Sequence, residues 1–190
     1  MTTLRRAARS IVPLALLLAL AGCGGGAERI VPFGDTIIDV ACPPMGGLKQ
    51  AESFTRFRPG QGRDLTDVAF TARIGRVAGK CEVNQDEVVA TVAAGIELFA
   101  ERGPALEGVE VPVEYFIAIR APNGAIASRQ AFTLPLDFST GAREARAVDY
   151  LTFKIPNATP EALRAYRIYF GLQMTREEWA FTERARQPLR

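Results

Sequence analysis

From Val88 to Leu98 every second residue is apolar: Val88, Ala90, Val92, Ala94, Ile96 and Leu98, while Thr91, Gly95, Glu97 and Glu101 occupy the other parity. Successive side chains of a strand point to opposite faces, so this alternation predicts a strand with one buried face. Val111, Val113, Tyr115, Ile117 and Ile119 repeat it opposite Glu110, Glu114 and Arg120. The turn-forming run Ala121-Pro122-Asn123-Gly124 follows, which predicts a hairpin onto a strand over Ile126–Leu134. Period two also predicts strands at Ile37–Ala41, Glu52–Phe57, Thr66–Val77, Ala145–Ile155 and Tyr166–Met174. So many strands within one domain imply a mainly β chain, an antiparallel immunoglobulin-like β-sandwich. A small β-barrel is the alternative, because alternation does not reveal closure.

Two helical pieces interrupt the strands. Thr159-Pro160-Glu161 places a capping residue before a proline, which predicts a turn or two of helix over Glu161–Ala165. Tyr166 then opens a strand, a placement similar to the tyrosine corner of immunoglobulin-like sandwiches. Thr175 and Glu178, three apart, match a capping box and predict a short C-terminal helix to Arg186, packed on a sheet by Trp179 and Phe181. Pro112 cannot donate to a ladder, so the strand that contains it is expected at a sheet edge.

The N-terminus has a different character. Arg5, Arg6 and Arg9, with no acid, precede an apolar run from Ile11 to Ala21 and then small residues. This is the layout of a secretory signal, with an apolar run too short to span a bilayer comfortably. Its end, Leu20-Ala21-Gly22-Cys23, resembles the bacterial lipobox, which implies a diacylglycerol on the sulfur of Cys23 and cleavage just before it. The predicted division is a lipoprotein signal over 1–22, a lipid anchor and flexible tether over 23–35, and one β domain over 36–190. Each acyl methylene withdrawn from water contributes about 0.8 kcal/mol, so more than one chain makes a lasting anchor. Gly24 stands where an Asp would favour inner-membrane retention by analogy with enteric sorting, and this tilts the expected location to the outer membrane, facing the periplasm.

Cleavage changes the charge. Taking three arginines from the 23 basic residues leaves 20 against 21 acids, near minus one, so the basic balance of the whole chain is no argument for nucleic acid as a partner. With Cys23 lipidated, Cys42 and Cys81 form an even pair in an oxidising compartment, where a disulfide is the default. A metal or reactive pair is disfavoured, because there is no histidine and no third soft ligand.

The lack of histidine also removes the commonest general base, so no Ser-His-Asp or Cys-His site can be built and the chain is expected not to be an enzyme. The best remaining carboxylate pair is Asp64 and Asp67, which converge only if their stretch turns; acids there otherwise cap a loop. No phosphate-binding loop, metal or cofactor is expected. Arg56, Arg58 and Arg63 form a basic stripe with two readings. It could meet an anionic surface such as lipid phosphate through planar guanidinium forks, or it is a solvated face that discourages edge pairing.

The lipobox at Cys23 occurs together with Ala41-Cys42-Pro43, Phe54-Thr55-Arg56-Phe57-Arg58-Pro59-Gly60, Gly62-Arg63-Asp64-Leu65-Thr66-Asp67, Arg102-Gly103-Pro104-Ala105, Tyr115-Phe116 and Gly171-Leu172-Gln173-Met174-Thr175. In these stretches the chain resembles small envelope lipoproteins of unknown function from alphaproteobacteria. That resemblance implies location and fold, and transfers no site. The expected role is non-catalytic, binding or scaffolding an envelope protein partner, with the membrane contacted through Cys23. The alternative is a periplasmic carrier or sensor of a lipid-like or small anionic ligand.

Overall fold

The computed structural model describes residues 29–30, 36–60 and 62–186. The signal over 1–22, Cys23 and most of the tether over 23–35 lie outside the described residues. Two residues of that tether form strand β1, Arg29–Ile30, which pairs antiparallel with β2, Thr36–Val40. The order continues with β3 (Met45–Gly47), β4 (Ser53–Phe57), β5 (Val68–Asn84), β6 (Val89–Arg102), β7 (Glu110–Arg120), β8 (Ile126–Asp137) and β9 (Glu144–Pro156). Helix α1 (Pro160–Leu163), strand β10 (Arg167–Leu172) and helix α2 (Arg176–Arg186) complete it. No helix among the described residues is long and apolar enough to cross a membrane.

The strands form two sheets. One runs β1-β2-β5-β6-β9, with β4 also on β5; the other runs β3-β10-β7-β8. This is the mainly β two-sheet sandwich, and neither sheet closes into a barrel. All pairings are antiparallel except β3 with β10, a parallel pair that the sequence did not signal. The run Pro43-Pro44-Met45-Gly46-Gly47 has no alternation, so only its place beside β10 makes it a strand.

β6 is flanked along its length by β5 and β9, and Ala90, Val92, Ala94, Ile96, Leu98 and Ala100 are buried on one face. From the other sheet Val113, Tyr115, Ile117, Ile168, Phe170 and Leu172 enter the same apolar cluster. Each large side chain buried here contributes about 1.5–3 kcal/mol. The expected parity of β6 and β7 therefore holds.

β5 starts later and ends much later than Thr66–Val77 implies. Leu65–Asp67 is a 3-10 turn, and a bulge between Ile74 and Val77 changes the buried parity from Phe70 and Ala72 to Cys81 and Val83. The bulge breaks the alternation, so the strand's second half is hidden from a period-two reading. Its turn into β6 is held by the Asn84 side chain, which accepts from the amides of Asp86 and Glu87 at 3.0 Å each.

The position of β7 corrects the edge expectation. It lies inside its sheet, between β10 and β8. Pro112 is tolerated because β10 pairs only with Tyr115–Arg120, leaving the start of β7 free on that side. The edges of that sheet are β3 and β8, the latter joined to β7 through the predicted turn, where Gly124 has φ +88°.

One covalent and one polar link tie segments far apart in sequence. Cys42 and Cys81 form the expected disulfide, with Cα atoms 5.2 Å apart at a sequence separation of 39. Buried Tyr115 of β7 donates its hydroxyl to the Asp149 carboxylate of β9 at 2.7 Å and stacks on Phe132. Burial first, and then the facing Asp149 carboxylate, push the Tyr115 phenol above its ordinary value.

The double variant Cys42→Ala/Cys81→Ala is expected to lose about 4 kcal/mol of stability from loop closure, read by denaturant unfolding of the oxidised protein. A variant as stable as the parent would count against a structural role for the bond. Because the native phenol of Tyr115 holds its proton to higher pH than the unfolded one, its contribution is complete below about pH 10 and falls as pH rises beyond it. Tyr115→Phe is expected to cost about 1–2 kcal/mol at neutral pH and to flatten the alkaline fall of a stability-against-pH curve. An unchanged alkaline limb would refute this assignment.

Candidate functional site

The arginine-rich stretch after β4 folds back on itself. After Phe57 the chain leaves the sheet, passes Gly60 at φ +130°, and returns through the turn Leu65–Asp67. Asp64 caps that turn, accepting from the Thr66 amide at 2.7 Å and the Thr66 hydroxyl at 2.6 Å. Those bonds, the hydroxyl's first, hold the Asp64 carboxyl below its ordinary value. Buried Asp67 accepts from the Asp64 amide and pairs with Arg58 at 2.6 Å, while its carbonyl takes the Arg58 amide at 2.9 Å. The stretch does turn, as convergence of the two acids required, and both carboxylates are engaged in holding it.

α2 lies across β4. Its predicted capping box is present: the Glu178 amide donates to the Thr175 hydroxyl at 3.2 Å, and Glu178 Oε2 accepts from the Thr175 amide at 2.7 Å. The other carboxylate oxygen of Glu178 accepts from Arg56 Nε at 2.6 Å. The Arg56 guanidinium also sits 5.0 and 5.3 Å from the ring centroids of Phe54 and Phe70, so the ion pair closes the end of the apolar core. One residue on, past a bulge at Arg56/Phe57, Phe57 meets Phe181 edge-on at 4.9 Å. Arg63 lies over Phe57 at 5.4 Å and pairs with Glu177 at 2.7 Å.

The helix is turned differently from expectation. Phe181 packs on the sheet as predicted, but Trp179 is 42% exposed, and the buried positions of α2 are Glu178 and Thr182. A spacing of four puts those two on one face, and Glu178 is drawn there by Arg56.

Two open hollows flank the Phe57–Phe181 contact. One of about 820 Å³ lies between the Arg56–Gly60 segment and α2, with Arg58, Arg63, Arg184 and Glu177 on its rim. The other, about 550 Å³, is walled by Leu65, Val68, Pro104 and Arg143. Both share Phe57, Arg63 and Phe181, so together they form one groove with an aromatic ridge. Leu65 stands beside it, 84% exposed.

The structure thus brings Arg56, Arg58 and Arg63 to one place, each with an acid: Glu178, Asp67 and Glu177. The stripe is a set of ion pairs, not a bare cationic face. Sequence reasoning missed the acids on α2, because Arg56 and Glu178 are 122 residues apart. It also missed Phe57, Phe181 and Leu65 as groove walls, whose only signal is apolar residues interleaved with arginine. Among the described residues no cluster of three metal-ligating side chains occurs. The chain matches no known family, no curated protein and no solved structure with which it was compared.

Removing Glu178 strands Arg56, which keeps 30% of its side chain in water. Glu178→Ala is therefore expected to cost about 2 kcal/mol, below the range for breaking a fully buried pair. In a double-mutant cycle with Arg56→Met, most of that loss should vanish; simple additivity of the two changes would show that the pair does not couple α2 to β4.

Proposed function

We propose that this chain is a bacterial envelope lipoprotein, anchored by a diacylglycerol on Cys23 at the outer membrane and facing the periplasm, that binds an envelope protein non-catalytically in the groove beside α2. The observation that carries the reading is the groove itself: an aromatic ridge of Phe57 and Phe181, an exposed Leu65, and a rim of paired arginines. Aromatic and arginine side chains around an apolar centre are the residues that dominate protein interfaces. The Cys42–Cys81 disulfide supports an oxidising compartment. A non-catalytic role is supported by the absence of histidine and by the engagement of Asp64 and Asp67 in the turn. The resemblance to alphaproteobacterial lipoproteins belongs to the same reading.

A second reading, a carrier of a lipid-like ligand, is favoured by the apolar wall of the 550 Å³ hollow. The two separate on purification of the lipidated protein from its own envelope in mild detergent, with mass spectrometry of what comes with it. A stoichiometric protein is expected, and Leu65→Glu should weaken its retention about tenfold without moving the unfolding temperature. A bound lipid with no protein would transfer the groove to the carrier reading; a partner retained undiminished by the variant would place binding elsewhere. Cys23→Ser is expected to free the protein from membranes or leave its signal uncut, and a processed variant that stays attached would refute the anchor.

A further inference from the structure

The attachment of α2 is built against the usual pattern. A helix docked on a sheet ordinarily buries an apolar stripe, because apolar area removed from water is the main favourable contribution. The two buried residues of α2, Glu178 and Thr182, are both polar. Phe181 on Phe57 supplies the aromatic contact; the remaining ties are Glu178 to Arg56, Glu177 to Arg63, and Arg186 to the Gln50 carbonyl at 2.9 Å. Thr182 has its hydroxyl buried in this contact with no hydrogen-bond partner. It borders a hollow of about 150 Å³ that Ser53, Thr55 and Thr71 also line. That hydroxyl adds no protein hydrogen bond to the docking of α2. α2 pairs in no strand ladder, so it can leave without breaking either sheet.

We propose that α2 is a displaceable strap over a docking site for a partner protein's helix that carries two adjacent carboxylates and an aromatic side chain one turn on. In this structure Glu177 and Glu178 hold the places on Arg63 and Arg56 that the partner's carboxylates take, and Phe181 holds the place of its aromatic side chain on Phe57. The inference rests on a partner binding at this groove, and adds that it docks by taking the seat of α2 on Arg56, Phe57 and Arg63. A helix is favoured over a lipid phosphate by what occupies the surface here: carboxylates on adjacent residues, and a ring three or four positions on that meets Phe57 between the two arginines. A phosphate headgroup would satisfy the arginines and leave that ring uncovered.

The chain's single tryptophan, Trp179, lies on α2, so its fluorescence anisotropy in the whole protein reports the strap. The probe is a labelled peptide with the sequence of residues 175–186 in which Trp179 is replaced by Phe. Glu177→Gln/Glu178→Gln is expected to bind it about tenfold more tightly than the parent, and adding Arg56→Gln and Arg63→Gln should abolish that binding. Saturating peptide should lower the Trp179 anisotropy of the parent protein. If the double variant proves unstable, Glu177→Gln alone, whose side chain is 76% exposed, should shift affinity in the same direction by a smaller factor.

Equal affinity of parent and variants, or binding that leaves Trp179 unmoved, overturns the proposal. Tighter binding to phosphatidylglycerol vesicles than to the peptide overturns the helical partner and assigns the arginines to lipid. A native partner retained through the groove equally by parent and double variant overturns the strap while leaving the groove reading in place.

Discussion

Every other element depends on the inner face of β6. That strand is hydrogen-bonded on both sides, by β5 and β9, and its inner side chains lie under the second sheet. A position enclosed in this way has no route to water, so a polar group there would lose its hydration without a partner. Small Ala90, Ala94 and Ala100 interleave with Val92, Ile96 and Leu98, and this graded face shares one core with the bulkier Tyr115 and Phe170. Close packing at that density leaves little freedom in how the two sheets sit.

The polar links that touch the core sit at its margins. Tyr115 reaches Asp149 on β9, an edge strand, where an inward-pointing carboxylate also discourages further strand addition. Arg56 covers Phe54 and Phe70 at the other margin and meets the acid that caps α2. Glu178 therefore serves two structures at once, the first turn of the helix and the lid of the core. The same economy governs the candidate site. Arginines that alternate along β4 and its loop are matched one by one by acids from a turn and a helix, so charge is stored there in pairs and the apolar ridge between them is left to set shape.

Legibility followed locality. The strands of β6, β7, β8 and β9, the capping residues Thr159 and Thr175, the hairpin at Gly124 and the Cys42–Cys81 pair were all readable, because each is written in neighbouring residues or in simple counting. Strand β3 was not, since Pro43–Gly47 has no pattern of its own and becomes extended only beside β10. The second half of β5 was hidden by a bulge that inverts its parity. Trp179 was misplaced for a related reason. Hydrophobicity alone would turn it inward, but the Arg56 guanidinium fixes Glu178 on the buried side, and Trp179 then follows outward.

By itself the sequence determined most of the strand pattern, the inner faces of β6 and β7, the helix caps and the disulfide partners, because these depend on side-chain period, local hydrogen bonds and residue chemistry; the proposed anchor at Cys23 is argued from the sequence alone. Only the tertiary structure decided that Arg56, Arg58 and Arg63 meet acids, that Phe57 and Phe181 form a ridge, and that β7 lies inside its sheet while β8 takes an edge. Those are contacts between residues far apart in the chain, and their energies exist only after the two sheets have brought the partners within a few ångströms.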